Sequence, residues 1–361
     1  MSILVSHSLL LEKLSLLRFG DEVMSWVRSF LVGRSLSVMV DGVGSSERAV
    51  GSGVPQGSVL DPVLFLLYVN CIARDTSSFW VAFADDFKLG IAHRRGNDRD
   101  GNGLRLQQDL DRLSATSKSW NLKLNKEKCV VMRFGGGTPG EEVGPMNRID
   151  EAELKVVAAY KDLGVVIDNR LRFHTHVGMV VGRAGALMGD LLRSTVCRSK
   201  KFMVTLYISH IRPYMDYCSS VWNVGYLGDA RRLESVQRRW TREIAGMAEM
   251  VYERRLRELQ LYSVAGRLLR ADLVKIWKLV RLGSHESLRE LFQVSRLENA
   301  RGHSLRLIMP RCRTEVMRRT LMARRVQVWN ALDAAVVEVN SLECFKRRLD
   351  GAISSEFYRV N

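Results

Sequence analysis

No run of about 18 uncharged apolar residues occurs in the chain, so nothing in it reads as a membrane-spanning helix. The first residues, MSILVSHSLLLEKL, lack the basic n-region and cleavage pattern of a secretory signal. Six cysteines (Cys71, Cys129, Cys197, Cys218, Cys312 and Cys344) are spread widely with no CxxC pair. That spacing sets aside a disulfide framework and a zinc finger, and it points to reduced, intracellular thiols. No fixed-period repeat is present. GGGTPG at Gly135–Gly140 is the longest biased tract, and without a Gly-Lys-Ser/Thr ending it is a linker rather than a phosphate loop.

What is present is 361 residues, 46% apolar and 26% charged, enough for two or three domains with cores of their own. The net charge is +16. Basic and acidic residues balance up to Ile167, and the whole excess lies from Asp168 onward, mostly as arginine. Arginine favours phosphate through bidentate hydrogen bonds, so a nucleic-acid partner is one reading of the second part. A well-solvated helical surface is the other.

Residue patterning organises the neutral part as an α+β module. SLLLEKLSLL places Leu9, Leu10, Leu14, Leu16 and Leu17 at loosely helical spacing, and DEVMSWVRSFLVGR predicts a second helix with Asp21 as its N-cap. LSVMVDGVGSSERAVGSG predicts two strands joined at Asp41-Gly42 or just after. Pro55 and Gly57 break the chain before an apolar helix from about Val59 to Ala73. FWVAFADDFKLGIA reads as a hairpin with Ala84-Asp85-Asp86 at its bend. An amphipathic helix follows, lined by Leu106, Leu110, Leu113 and Trp120, then a strand at EKCVVMRF. After the β-rich AYKDLGVVID the pattern turns helical. In DARRLESVQRRWTREIAG one stripe is Leu233, Val236, Trp240 and Ile244, while Arg231, Arg238 and Arg242 cover another face.

The candidate site starts from VAFADDFKLG. Asp85 and Asp86 lie side by side in an apolar, strand-like run, which fits a sheet centre. Buried carboxylates are costly unless paired or holding a metal. A hairpin turn also welcomes aspartate for its local hydrogen bonds, so a metal site and a simple acidic turn both remain open.

GSGVPQGSVLDPVLFLLYVN followed by AFADDFKLG resembles the polymerase core of LINE-type (non-LTR) retrotransposon reverse transcriptases, especially the jockey-like group. The resemblance continues in colinear order through LQQDLDRLSATSKSWNLKLNKEKCVVMRFG, YKDLGVVIDNRLRFHTHV, LYISHIRPYMDYCSSVWN, LESVQRRWTREIAGM and RGHSLRLIMPRCRTEVMRRTLMARRVQVWNAL. It implies a partial polymerase palm over 1–140, a palm-to-thumb connection over 141–170 and a basic helical thumb with downstream region over 171–361. The implied activity is RNA-directed DNA polymerisation with an RNA template, a DNA primer at the target, dNTPs and Mg²⁺, in a nuclear setting. Asp85 would be the direct metal ligand and Asp86 its weaker partner, with Phe83 in the position that precedes Ala-Asp-Asp. Pro55, Gln56 and Gly57 would meet nucleotide and template. Lys128 is a candidate for the triphosphate or a solvated strand-edge lysine. Arg231, Arg238, Arg239 and Arg242 would grip nucleic acid.

The sequence departs from the family pattern at its start. Met1-Ser2-Ile3 stand where Ala-Phe-Asp would be, so the third catalytic carboxylate is expected upstream of Met1, and the residue that rejects ribonucleotides falls at Ser2. Asp61 stands where a small residue usually follows GSVL. The chain alone is therefore expected to polymerise little or not at all, and a non-catalytic nucleic-acid-binding remnant is the competing reading. His174 and His176 form an HxH pair with no third ligand at suitable spacing, which favours a role in opening a helix. Trp222, Trp240, Trp277 and Trp329 read as core.

Overall fold

A computed structural model describes residues 5–55, 57–92, 99–135, 146–282, 292–295 and 302–360. The chain forms two compact units, 1–157 and 158–361. Both mix helices with small, mainly antiparallel ladders, and the fold class is α+β. The GGGTPG tract lies outside the described residues except for Gly135.

In the first unit the order is α1 (His7–Leu16), α2 (Asp21–Leu31), β1 (Ser35–Leu36), β2 (Met39–Val40), β3 (Val43–Gly44), β4 (Arg48–Ala49), α3 (Asp61–Val69), β5 (Phe79–Phe83), β6 (Asp86–Gly90) and α4 (Arg99–Ser119). A 3-10 turn at Lys126–Lys128 leads to β7 (Val130–Val131), β8 (Arg148–Ile149), β9 (Ala152–Glu153) and β10 (Lys155–Val156). Ser6 caps α1 by accepting from the Leu9 amide, and Leu10, Leu11 and Leu14 pack with Val27, Leu31, Leu64, Tyr68 and Leu113. Leu16 and Leu17 are exposed instead, because α1 ends at Leu16 and its buried face stops at Leu14. The N-cap of α2 is Gly20 rather than Asp21, which takes the first helical position and faces the helix dipole with Glu22.

Two nested ladders follow α2. Met39 and Val40 pair with Gly44 and Val43 around Asp41-Gly42, both at positive φ (+50° and +81°), the backbone a tight hairpin needs. The outer pair joins β1 to β4. Helix α3 is shorter than its apolar run because the chain turns from Asn70 to Asp75. It buries Leu64 and Tyr68 and leaves Val63 and Leu66 exposed. The strand expected at EKCVVMRF shrinks to β7, which pairs in parallel with β10.

In the second unit β11 (Ala159–Asp162) and β12 (Val165–Asp168) form a hairpin around Leu163-Gly164, again both at positive φ. Helices then dominate: α5 (His174–Ser194), α6 (Lys200–Leu206), α7 (Arg212–Asp216), α8 (Ser219–Trp222), α9 (Leu227–Arg242), α10 (Tyr252–Glu258) and α11 (Val264–Trp277). Helices α6 and α7 are joined by a π turn at Tyr207–Ile211. Shorter helices close the described chain: α12 (Glu315–Arg319), α13 (Leu321–Arg324), α14 (Val326–Asn330), α15 (Ala334–Val337), α16 (Leu342–Ala352) and α17 (Ser354–Tyr358). Trp222 and Trp240 lie in one apolar cluster, and Trp277 and Trp329 in a second, so all four tryptophans are core.

The second unit also buries charge in paired networks, with the Arg267 Nη2 left without a partner among the described residues. Arg267 bonds Asp216, the Tyr207 hydroxyl and Gln237. Asp272, fully buried, holds Arg324 and Arg325 together at 2.9 Å each. Part of the arginine excess therefore builds the core rather than the surface.

Candidate active site

Strands β5 and β6 pair from Phe79↔Gly90 to Phe83↔Asp86, so Ala84 and Asp85 form the turn and Asp86 is the first residue of the returning strand. Ala84 carries the bend at φ +50°, a left-handed conformation that a side chain adopts only at a cost. Opposed residues share a face of the ladder. One face carries Trp80, Ala82, Phe87 and Leu89, with Trp80 stacked on Phe87 at 5.5 Å. Phe87 and Leu89 pack against the core of this unit. The other face carries Phe79, Val81, Phe83 and Asp86.

That second face corrects the expectation of a buried sheet centre. All of β5 is exposed, Phe83 at 61%, and Asp85 and Asp86 are exposed as well. The hairpin pairs only with itself among the described residues. Only Phe87 and Leu89 of β6 pack inward while β5 stays uncovered on both faces, so hydrophobicity alone overstated burial.

The position of this hairpin is fixed by a residue that the pattern did not single out. Asp109 of α4 is completely buried and accepts from the Ser77 and Ser78 amides and from both serine hydroxyls. These bonds clamp the two residues immediately before β5, with Arg112 at 3.0 Å adding a charge partner. Burial pushes the Asp109 carboxyl upward, but the four serine donors outweigh it and bring its pKa down to about 2. The clue in the sequence is an aspartate on the apolar side of an amphipathic helix, one residue from Leu110.

The other predicted residues occupy separate places. Pro55 and Gly57 flank a turn before α3. Gly57 has φ +82°, and the Ser58 hydroxyl, two residues before the N-cap Leu60, accepts from the Asp61 amide at 3.1 Å. Asp61 is the first residue of α3. Gln56 lies outside the described residues. The approach to this turn is latched to α1: the His7 ring bonds the Gly53 carbonyl at 2.7 Å, and the Gly53 amide bonds the Val5 carbonyl. Lys128 is exposed on the 3-10 turn, not on a strand edge. Its neighbour Lys126 is held by Asp150, which also accepts from Lys118 and Ser114; those bonds hold the Asp150 carboxyl well below the usual range.

No hydrogen bond or ion pair among the described residues joins Asp85 or Asp86 to the Gly57 turn or to Lys128. No group of three His, Cys, Asp or Glu residues among them could hold a metal. The donor set at the tip is still hard oxygen, which suits a hard divalent cation that keeps most of its other ligands from water and substrate phosphate. His174 and His176 diverge. His174 opens α5 and bonds Asp229 at 2.6 Å, whereas His176 is buried and accepts from the Val166 amide. Arg231, Arg238, Arg239 and Arg242 are all exposed on α9, opposite the buried stripe of Leu233, Val236 and Trp240. No helix among the described residues is long and apolar enough to cross a membrane.

Comparison with known proteins agrees with the motifs. Residues 4–179 match the reverse transcriptase (RNA-dependent DNA polymerase) family. A probable RNA-directed DNA polymerase from transposon X-element of Drosophila melanogaster is 30% identical over 248 residues, 66% of this chain and 26% of that protein. The RNA-directed DNA polymerase from mobile element jockey of Drosophila melanogaster is 27% identical over 242 residues, 63% of this chain and 25% of that protein. A probable RNA-directed DNA polymerase from transposon BS of the same organism is 27% identical over 274 residues, 72% of this chain and 30% of its own length. The chain thus spans between about a fifth and a third of the length of the curated relatives it matches. With the tip carboxylates, the glycine turn before an apolar helix and these relatives in agreement, the chain belongs to the reverse transcriptases of LINE-type, jockey-like non-LTR retrotransposons.

Proposed function

We propose that the chain is part of an RNA-directed DNA polymerase, with a partial palm in the first unit and a basic thumb in the second. The observation that carries this reading is the Asp85–Asp86 tip, exposed, unpaired among the described residues and held in place from behind by Asp109. A structural acidic turn would satisfy its carboxylates locally. These two present theirs to solvent at a clamped hairpin, where substrate phosphates can share a cation.

In this reading Asp85 is the principal ligand for Mg²⁺ and Asp86 its partner. Bound there, the ions would lower the pKa of a primer 3′-hydroxyl and neutralise charge on the nucleotide phosphates. Phe83, beside Asp86 on the outer face of the ladder, offers an aromatic surface next to the reacting end. Pro55, Gln56 and Gly57 meet nucleotide and template, and Lys128 meets the triphosphate. The exposed arginines of α9 hold the RNA template and DNA primer through phosphate contacts, and the setting is nuclear.

Two carboxylates without a third among the described residues make a weak anchor for two ions. The chain by itself is therefore expected to extend primers at a small fraction of the rate of a complete polymerase, a loss of many powers of ten being within reach of several kcal/mol of barrier. Primer extension by the purified chain on an RNA template with Mg²⁺ and dNTPs tests this. Little or no product is expected. Robust Mg²⁺-dependent synthesis that Asp85→Ala abolishes would show that the site is complete and would overturn the claim of inactivity.

A second reading, a non-catalytic nucleic-acid-binding protein, is favoured by the charge of the second unit, which is independent of the tip. It predicts tight, salt-sensitive binding to RNA and duplex DNA that Asp85→Ala leaves unchanged. Mg²⁺-dependent synthesis at any level that Asp85→Ala removes would count against it.

A further inference from the structure

Two arginines among the described residues of the second unit are buried, and Arg267 has a carboxylate partner whereas Arg255 does not. It lies on α10 with only 5% of its surface exposed, and its Nε and Nη1 have no hydrogen-bond partner. Its guanidinium lies over the Tyr252 ring at 5.3 Å, and Arg238 of α9 lies over the same ring at 4.8 Å. Tyr252 is itself immobile, since its hydroxyl donates to Glu234 and accepts from Gln237. The buried acid closest to this arrangement is already committed: the other Glu234 oxygen accepts from the Val264 amide at 2.9 Å.

The surroundings add charge of the same sign. Arg242 stands one helical turn after Arg238 on α9, and both are exposed. Loss of solvent brings the Arg255 guanidinium below its ordinary pKa; Tyr252 opposes it, Arg242 and Arg238 add to it by repulsion, and Glu253 acts with Tyr252. No ion pair joins Arg238, Arg242 or Arg255 to a carboxylate among the described residues. A buried guanidinium with idle N–H groups and two like charges beside it is an unfavourable arrangement for an isolated protein. An oxyanion placed among the three would satisfy the donors and reverse the repulsion, and a phosphoryl group matches guanidinium donors better than any other common anion.

We propose that Arg238, Arg242 and Arg255 form a phosphate-binding site on the second unit that takes a backbone phosphate of a bound nucleic-acid strand. This rests on the polymerase reading and sharpens it, since it replaces a general basic surface by one built contact. Arg231 and Arg239 of the same helix are outside the site: neither stacks on Tyr252 or acts on Arg255.

The test uses the full chain and a fluorescently labelled RNA–DNA hybrid of about 20 base pairs, with anisotropy titrations across a salt series. The double variant R238Q/R242Q is compared with R231Q/R239Q, which removes the same charge from the same helix. The site predicts about a tenfold or greater loss of affinity for R238Q/R242Q at about 150 mM salt, with a log–log salt slope shallower by about one to two. R231Q/R239Q, which removes two surface phosphate contacts of the same helix but leaves the arrangement around Tyr252 intact, should lose less, about threefold. R255Q should follow the first pair if it folds, as judged by circular dichroism; the exposed double variant carries the test if it does not. Equal losses in the two double variants would mean a diffuse basic surface and would overturn the site while leaving the polymerase reading intact. Absence of salt-sensitive binding by the wild type would overturn both. A third arm adds inorganic phosphate at constant ionic strength. Thermal stabilisation of the wild type but not of R238Q/R242Q, with equal hybrid affinity, would assign the site to free phosphate and overturn the backbone assignment.

Discussion

Asp109 shows how one side chain can govern a site it does not touch. Its carboxylate gathers four serine donors directly before β5, so replacing it by alanine should destabilise the first unit by about 2–3 kcal/mol, the range for charge-assisted bonds. Denaturant unfolding of Asp109→Ala reads this. Its pKa of about 2 lies below the unfolded carboxylate value of about 3.9, so the stability it contributes is fully present above about pH 4. That contribution is lost as the pH falls toward 2, and Asp109→Asn should remove this portion of the acid dependence. At the tip the logic reverses. Asp85 and Asp86 are exposed and bonded to nothing among the described residues, so Asp85→Ala should change folding stability by no more than about 0.5 kcal/mol. Ala84, at φ +50°, is strained, and Ala84→Gly should stabilise the hairpin by about 0.5–1 kcal/mol as relief of the left-handed backbone exceeds the added chain entropy. An unchanged unfolding midpoint in Ala84→Gly would mean that the turn carries no such strain.

Among the elements, those with strong local signals were legible in the sequence. Asp41-Gly42 and the AYKDLGVVID segment formed their hairpins because paired positive-φ residues are written into them. The α9 stripe of Leu233, Val236 and Trp240 is buried as its spacing predicts, and the arginines of the same helix are exposed. The hairpin at Asp85 was legible as a hairpin but not in its burial. Period-2 patterning states which residues share a face, whereas covering that face depends on a neighbour that local patterning does not specify. Asp109 was illegible for a related reason: four donors converge on it from a segment 31 and 32 residues away. Arg255 likewise reads as one more solvated arginine until α10, which carries both Tyr252 and Arg255, packs against α9. The buried pairs of the second unit were hidden in the same way. Asp272→Ala should leave Arg324 and Arg325 without their carboxylate and destabilise that unit by about 3–5 kcal/mol, measurable by chemical denaturation.

For the whole molecule, the separation of charge is the main physical fact. A first unit of near balance carries the acidic tip, and a second unit with the entire +16 excess carries the basic helix face. Arginines also sit inside this unit against Asp216, Asp272 and Asp350, and the exposed arginines of α9 are one part of its basic surface. Binding to nucleic acid should consequently fall steeply with salt, with a slope that reports phosphates contacted rather than total charge. The central claim concerns the tip, that Asp85 and Asp86 hold a divalent ion together with substrate phosphates. Its most direct measurement is the binding of Mn²⁺, as a paramagnetic substitute for Mg²⁺, followed by electron paramagnetic resonance with template–primer and dNTP present. The account predicts a bound-ion signal in the wild type that Asp85→Ala abolishes and Asp86→Ala weakens. Equal Mn²⁺ binding by the wild type and both variants would contradict it.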